Sequence, residues 1–215
     1  MKIDHARGSR AAVAALLAGL ISAGCTIPTS PMVLGPVFAP PGSEWSYVRR
    51  DSGSFGTGVT HVAGKSLGAQ DWQGRKLPAY EGPEATTLLD PGMGGMVAQT
   101  KDAKPLVSWD PPIGYHWPLW VGETWSAPYR VTNHATQQTT EMRAWFTVEA
   151  QEHVNVPAGT FKVFRIRYAD PYIEALTWWS PDLGLLAKSR IERTTRHPAG
   201  PGVREADLLT YSAMR

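Results

Sequence analysis

The stretch from Glu141 to Ala150 reads EMRAWFTVEA, and its pattern decides the fold. Met142, Ala144, Phe146, Val148 and Ala150 share one parity; Glu141, Arg143, Thr147 and Glu149 share the other, joined there by Trp145. A period of two sends successive side chains to opposite faces of an extended chain, so this segment reads as a strand with one side in a core and one in water. Outward from it, the same period marks Glu44 to Asp51, Val59 to Lys65, Arg75 to Glu81, Thr86 to Leu89, Met96 to Thr100 and Pro105 to Trp109. It continues in Thr124 to Asn133, Thr160 to Tyr168, Glu174 to Ser180, Leu186 to Arg196 and Glu205 to Ala213. The separators are Gly, Pro, Asp and Ser, which implies an antiparallel meander. The expected class is all-β: one strongly curved antiparallel meander over residues 44–215, a half-barrel or open barrel.

Three connections follow from turn chemistry. In Val156-Pro157-Ala158-Gly159-Thr160, proline sets the first turn residue and Gly159 supplies a positive φ. Ser180-Pro181-Asp182-Leu183-Gly184 repeats the device, and His197 to Val203 closes the last hairpin.

Before the meander lie two segments of other character. Residues 1–10 are basic, Ala11 to Ala23 are small and apolar, and the run ends at Gly24-Cys25. This is the form of a secretory signal peptide, too short to span a bilayer as a helix. Ile-Ser-Ala-Gly-Cys (residues 21–25) resembles a bacterial lipobox, with Ser22 where leucine is usual, so the reading is a signal peptide at 1–24 and lipidation at Cys25. The alternative is a secreted protein with Cys25 as a free thiol. Thr26, in place of Asp, after the cysteine implies by resemblance to diderm lipoproteins an outer-membrane destination facing the periplasm. Thr26 to Ser43 hold 18 uncharged residues and five prolines, a semi-rigid tether of at most about 55 Å, although Met32, Val33, Leu34, Val37 and Phe38 suit contact with the domain.

The charge balance narrows the function. The chain has 215 residues with 21 Lys+Arg and 19 Asp+Glu; without Lys2, Arg7, Arg10 and Asp4 of the leader, 18 of each sign remain. A neutral chain with no basic run lacks the footprint of a nucleic-acid binder. One cysteine permits neither an intramolecular disulfide nor a cysteine-based zinc site. HExxH, P-loop, CxxC and dinucleotide-binding glycine motifs are absent, so no catalytic residue and no cofactor is indicated. His61, His116, His134, His153 and His197 stand at no ligand spacing. Glu81 with Glu84, and Asp170 with Glu174, read as loop and strand-edge charges. Arg143, Glu149, Lys162, Arg165, Arg167, Lys188, Arg190 and Glu192 fit cross-strand ion pairs on a solvated face, against the alternative of an anionic-ligand site from Arg165, Arg167 and Arg190.

The unusual concentration is aromatic. WDPPIGYHWPLWVGETW places Trp109, Tyr115, His116, Trp117, Trp120 and Trp125 within 17 residues, held by Pro111, Pro112 and Pro118. Such rings either plug one end of a curved sheet or wall a site for an acyl chain or sugar ring.

DPPIGYHWPLWVGETW (110–125), VPAGTF (156–161) followed by KVFRIRY, TWWSPDLGLLAKS (177–189) and READLLTY (204–211) together resemble an exported bacterial family of unknown function, the YmcC-type lipoproteins of capsule operons. More distantly the chain is similar to the LolA and LolB carrier architecture. The resemblance runs from Trp45 to Tyr211. It implies a curved antiparallel sheet around an apolar interior, exported and lipid-anchored. Its matching residues, among them Pro157, Gly159, Trp179, Pro181 and Gly184, are turn and core types, which specify a fold and transfer no site. The expected function is that of a non-enzymatic envelope lipoprotein, held to the membrane by its N-terminal lipid, that binds an apolar or glycan ligand or a partner protein. The alternatives are an assembly factor for capsule or another envelope machine, and a hydrolase of envelope polymers.

Overall fold

The computed structural model describes residues 32–213; the expected signal peptide and Cys25 lie outside them. Twelve antiparallel strands follow one another: β1 (Glu44–Gly53), β2 (Gly58–Trp72), β3 (Arg75–Glu81), β4 (Thr86–Leu89), β5 (Met96–Lys101), β6 (Lys104–Ile113), β7 (Thr124–Asn133), β8 (Gln138–Val156), β9 (Gly159–Ala169), β10 (Ile173–Ser180), β11 (Leu185–Arg193) and β12 (Gly202–Ser212). Each pairs with its neighbours in the chain, and β1 also pairs with β12 from Glu44–Ser212 to Gly53–Gly202. The expected curved meander goes one step beyond an open barrel and closes on itself, which leaves no unpaired edge.

The alternation that marked EMRAWFTVEA sets the faces of the wall. Ala144, Phe146 and Val148 are buried, while Trp145 is 50% exposed. A bulge between Val148 and Ala150 interrupts the phase, so Ala150 pairs with Arg165 and does not continue the inner row as its parity predicted. β8 is also longer than its apolar stretch, because the hairpin partners β7 and β9 supply backbone hydrogen bonds to both of its polar ends.

Connections alternate between two ends of the barrel. At one end lie the β6–β7 loop (114–123), the β10–β11 turn (181–184) and the entry of the chain into β1. Residues 32–43 run across this end as a strap. Val33 and Leu119 exchange backbone hydrogen bonds of 3.1 and 2.8 Å; Gly42 N–H donates to Ser66 O (2.7 Å) and Ser66 N–H to Ser43 O (2.8 Å). The Ser66 hydroxyl donates to Ala39 O at 2.9 Å, and Ala39 is 3% exposed. This part of the expected tether therefore lies on the barrel. The other end, its mouth, is framed by the β3–β4 (82–85), β9–β10 (170–172) and β11–β12 (194–201) connections.

Candidate functional site

Closing twelve strands places one residue in two of each on the inside, and these enclose a cavity of about 780 Å³ that reaches from the strap to the mouth. That volume falls in the roughly 300–1,000 Å³ range of small-molecule sites. Its walls are aromatic and aliphatic. Near the strap, Trp45 meets Tyr80 edge-on (5.2 Å between ring centres), and Trp117 and Tyr115 lean edge-on against Trp179 (5.6 and 5.9 Å). Midway, Phe146 meets Tyr168 edge-on at 5.1 Å. These seven rings come from six different elements, each presenting them at inward positions.

The strap closes one end through two fixed contacts. The Tyr80 hydroxyl accepts from Ala39 N–H (2.7 Å) and donates to Gly184 O (3.2 Å), tying strap, β3 and the β10–β11 turn together. Gly184 has φ of 64°, and a Cβ there would stand 2.6 Å from the Phe38 carbonyl carbon. Only glycine meets both requirements. Pro36, Val37 and Phe38 then form part of the cavity lining.

Toward the mouth the lining turns polar at Asp170. Its Oδ1 accepts the backbone N–H groups of Tyr172 and Ile173 (2.7 Å each), and its Oδ2 accepts the hydroxyls of Tyr168 and of Tyr129 (3.1 Å to Tyr129). Burial, joined for Tyr168 by its bond to Asp170, pushes both phenols far above their usual range. Burial also pushes Tyr80 and Tyr115 up to about 12. The phenols facing the lumen are thus neutral hydrogen-bonding groups at physiological pH. Four donors on one carboxylate fill its acceptor directions and fix Asp170 in place. Beside it His197, whose ring lies 6.4 Å from that of Tyr172, is held below the ordinary imidazole value, first by burial and then by the charge of Arg193.

The structure divides the aromatic segment read from the sequence. Trp109, Tyr115 and Trp117 line the cavity. His116, Trp120 and Trp125 are not among its lining: the His116 ring points outward and lies 2.6 Å from Glu123 Oε1, Trp120 is half-buried in the loop, and Trp125 stacks on Phe146 at 4.7 Å within the core. Sequence reasoning missed Trp45, Tyr80, Tyr129, Tyr168 and Trp179, whose only signal was their parity on separate strands. Asp170, read as a loop charge, belongs to the interior. The signal was local: an aspartate opening the turn before Ile173, able to accept the next amides through its side chain.

Outside, the wall is charged. Arg165 pairs with Glu149 and Glu152 (3.0 and 3.3 Å), Arg190 with Glu205 (2.7 Å), and Arg204 with Asp51 (2.9 Å). Arg165, Arg167 and Arg190 are each engaged by carboxylates on the outer face and do not gather into an anion site. Among the described residues no three His, Cys, Asp or Glu side chains stand close enough to hold a metal ion, and no helix is long and apolar enough to cross a membrane.

No protein-family model matches the chain, and no curated protein matches it in sequence. Solved structures resemble it in fold. A candidate lipoprotein from Parabacteroides distasonis aligns with a TM-score of 0.43 and 12% identity over 83% of this chain and 99% of its own. A candidate exported protein with YmcC-like fold from Bacteroides fragilis gives 0.47 and 11% over 83% and 99%. The hypothetical lipoprotein YmcC from Escherichia coli gives 0.45 and 12% over 81% and 86%. The YmcC resemblance read from the sequence thus reappears among the structures this chain is similar to.

Proposed function

We propose that this protein is an exported, lipid-tethered binding protein whose barrel lumen holds one apolar molecule. A single observation carries the reading: an aromatic-walled cavity of about 780 Å³ inside a barrel whose outer wall bears Arg–Glu and Arg–Asp pairs. A membrane-spanning barrel distributes its residues the other way, apolar toward lipid and polar toward the lumen. Lumen polarity also favours an apolar ligand over a glycan, which needs many free donors and acceptors. Here the hydroxyls of Tyr47 and Tyr80 already donate to Leu186 O and Gly184 O, and the Trp117 indole to Met93 O. The assembly-factor reading calls for aromatic rings on the outside, where Trp145 alone is a largely exposed aromatic among the described residues.

The N-terminus gives this site an orientation. Six residues lie between Cys25 and Met32, a reach of at most about 25 Å. A lipid on Cys25 holds the strapped end toward the bilayer, with exposed Met32 (47%) and Leu34 (79%) on that side, and leaves the mouth facing away. Two measurements test the two halves. Titration of the purified protein with N-phenyl-1-naphthylamine, a neutral apolar fluorophore, is expected to give saturable one-to-one binding; no enhancement counts against a lumen site. Labelled palmitate is expected to enter the protein and to be lost on Cys25→Ala; unchanged labelling or none in the parent contradicts the tether.

A further inference from the structure

The polar group facing the lumen narrows what the ligand's polar end is. Tyr168 donates its one hydroxyl proton to Asp170 Oδ2, and Tyr129 is within 3.1 Å of the same oxygen and 3.3 Å of the Tyr168 oxygen. The Tyr129 proton has three protein acceptors, Asp170 Oδ2, the Tyr168 oxygen and Met142 Sδ at 3.6 Å, so in each assignment both phenolic protons are taken up within the wall. What these tyrosines have left is lone pairs. Asp170 adds a negative charge behind them, and its four directions are filled by two amides and two phenols. Among the described residues the other carboxylate in the lining is Glu81, and no Lys or Arg lines the cavity. Of the cations near this end, Arg193 lies 3.8 Å over the Phe55 ring and donates to Ser54 O at 2.9 Å, Arg204 stands 4.5 Å over the same ring and pairs with Asp51, and Arg196 is exposed on the β11–β12 connection; none of the three is in the lining. His197 is neutral at pH 7.5 for the reasons of burial and Arg193 charge given above.

We infer that the lumen selects apolar molecules whose polar end donates hydrogen bonds and carries no negative charge, an alkyl alcohol or alkylammonium, and rejects carboxylate- or phosphate-ended amphiphiles. This rests on the lumen site proposed above and names its ligand class. A hydroxyl or ammonium placed at Tyr129 and Tyr168 donates to the waiting phenolic oxygens, and an ammonium also gains the field of Asp170. An anionic head meets lone pairs and a like charge in a low-dielectric site, with no donor or cation to offset its lost hydration.

The test is displacement of N-phenyl-1-naphthylamine from the purified protein at pH 7.5 by dodecylamine, dodecan-1-ol and dodecanoate, each kept below micelle formation. Dodecan-1-ol and dodecylamine are expected to displace the probe at concentrations about tenfold or more below dodecanoate. Asp170→Asn removes the charge and is expected to bring dodecanoate to within about threefold of the alcohol. Should that variant fail to fold, Tyr168→Phe leaves Asp170 three of its donors and removes one acceptor; it is expected to weaken the alcohol and the amine about tenfold more than it changes probe affinity. Dodecanoate displacing as well as dodecan-1-ol in the parent, or a gap that neither variant moves, overturns the inference and leaves the lumen site standing. Absence of probe binding in the parent overturns both.

Discussion

The two ends of the lumen are built on different terms. At the strapped end the walls are rings against rings, and every polar atom named there serves the protein itself: the Tyr80 hydroxyl bonds Ala39 and Gly184, and the Trp117 indole bonds Met93. At the mouth two phenols backed by a carboxylate face the cavity, with phenolic lone pairs to offer. Closure at the first end is therefore a matter of packing, and selection at the second a matter of hydrogen-bond direction. The contrast yields four expectations, taken from the largest effect to the smallest.

Alkaline pH attacks the strapped end. Tyr80 and Tyr115, raised to about 12 by burial, stay neutral in the folded barrel while the unfolded chain ionises near 10. The stability they contribute is complete below pH 10 and is lost as pH rises toward 12, about 2.7 kcal/mol for each phenol shifted by two units. Phenolate absorbance should rise in one step with loss of the near-ultraviolet dichroism. A smooth rise at pH 10 in an intact barrel would show these phenols to be wet. Next, Trp179→Ala removes the ring on which Tyr115 and Trp117 rest and should cost about 3–5 kcal/mol in urea unfolding. A loss under 1 kcal/mol would place the packing elsewhere.

The strap comes third. Gly184→Val forces a side chain against Phe38 in a backbone region that costs such residues about 1–3 kcal/mol, and residues 32–43 should become cleavable by added protease while β12 stays protected. Equal resistance to the parent would mean the strap is held without that turn. Smallest is the outer wall: Arg167→Ala breaks an exposed pair with Glu149 and should shift stability by less than about 1 kcal/mol, with ligand binding untouched. A change in binding would bring the outer face back as a site.

Much of this was legible in the chain. All twelve strands lie where the period of two placed them, because a one-sided sheet must alternate, and Gly159 and Gly184 take the positive φ their turns require. Barrel closure was not legible, since the pairing of β1 with β12 joins Trp45 to Tyr211 and leaves no local mark. The site was half legible for the same reason. Dense aromatic sequence between Trp109 and Trp125 drew attention, yet a strand or loop turns only some of its rings into the cavity: His116 points outward, Trp120 stays in the loop, and Trp125 is spent in the core against Phe146. Trp45, Tyr80, Tyr129, Tyr168 and Trp179 are scattered in sequence and become neighbours only when the wall closes. Asp170 looked like a surface charge because, although Tyr168 stands two residues before it, Tyr129 reaches it from β7 only once the wall is folded.

The central claim is that the lumen is the binding site, and filling it is the most direct challenge. Ala175 faces the cavity from β10, opposite Tyr168 and Ile191. In Ala175→Trp the probe N-phenyl-1-naphthylamine should lose its saturable binding while the far-ultraviolet spectrum of the barrel is retained; undiminished binding by a folded Ala175→Trp would contradict the account.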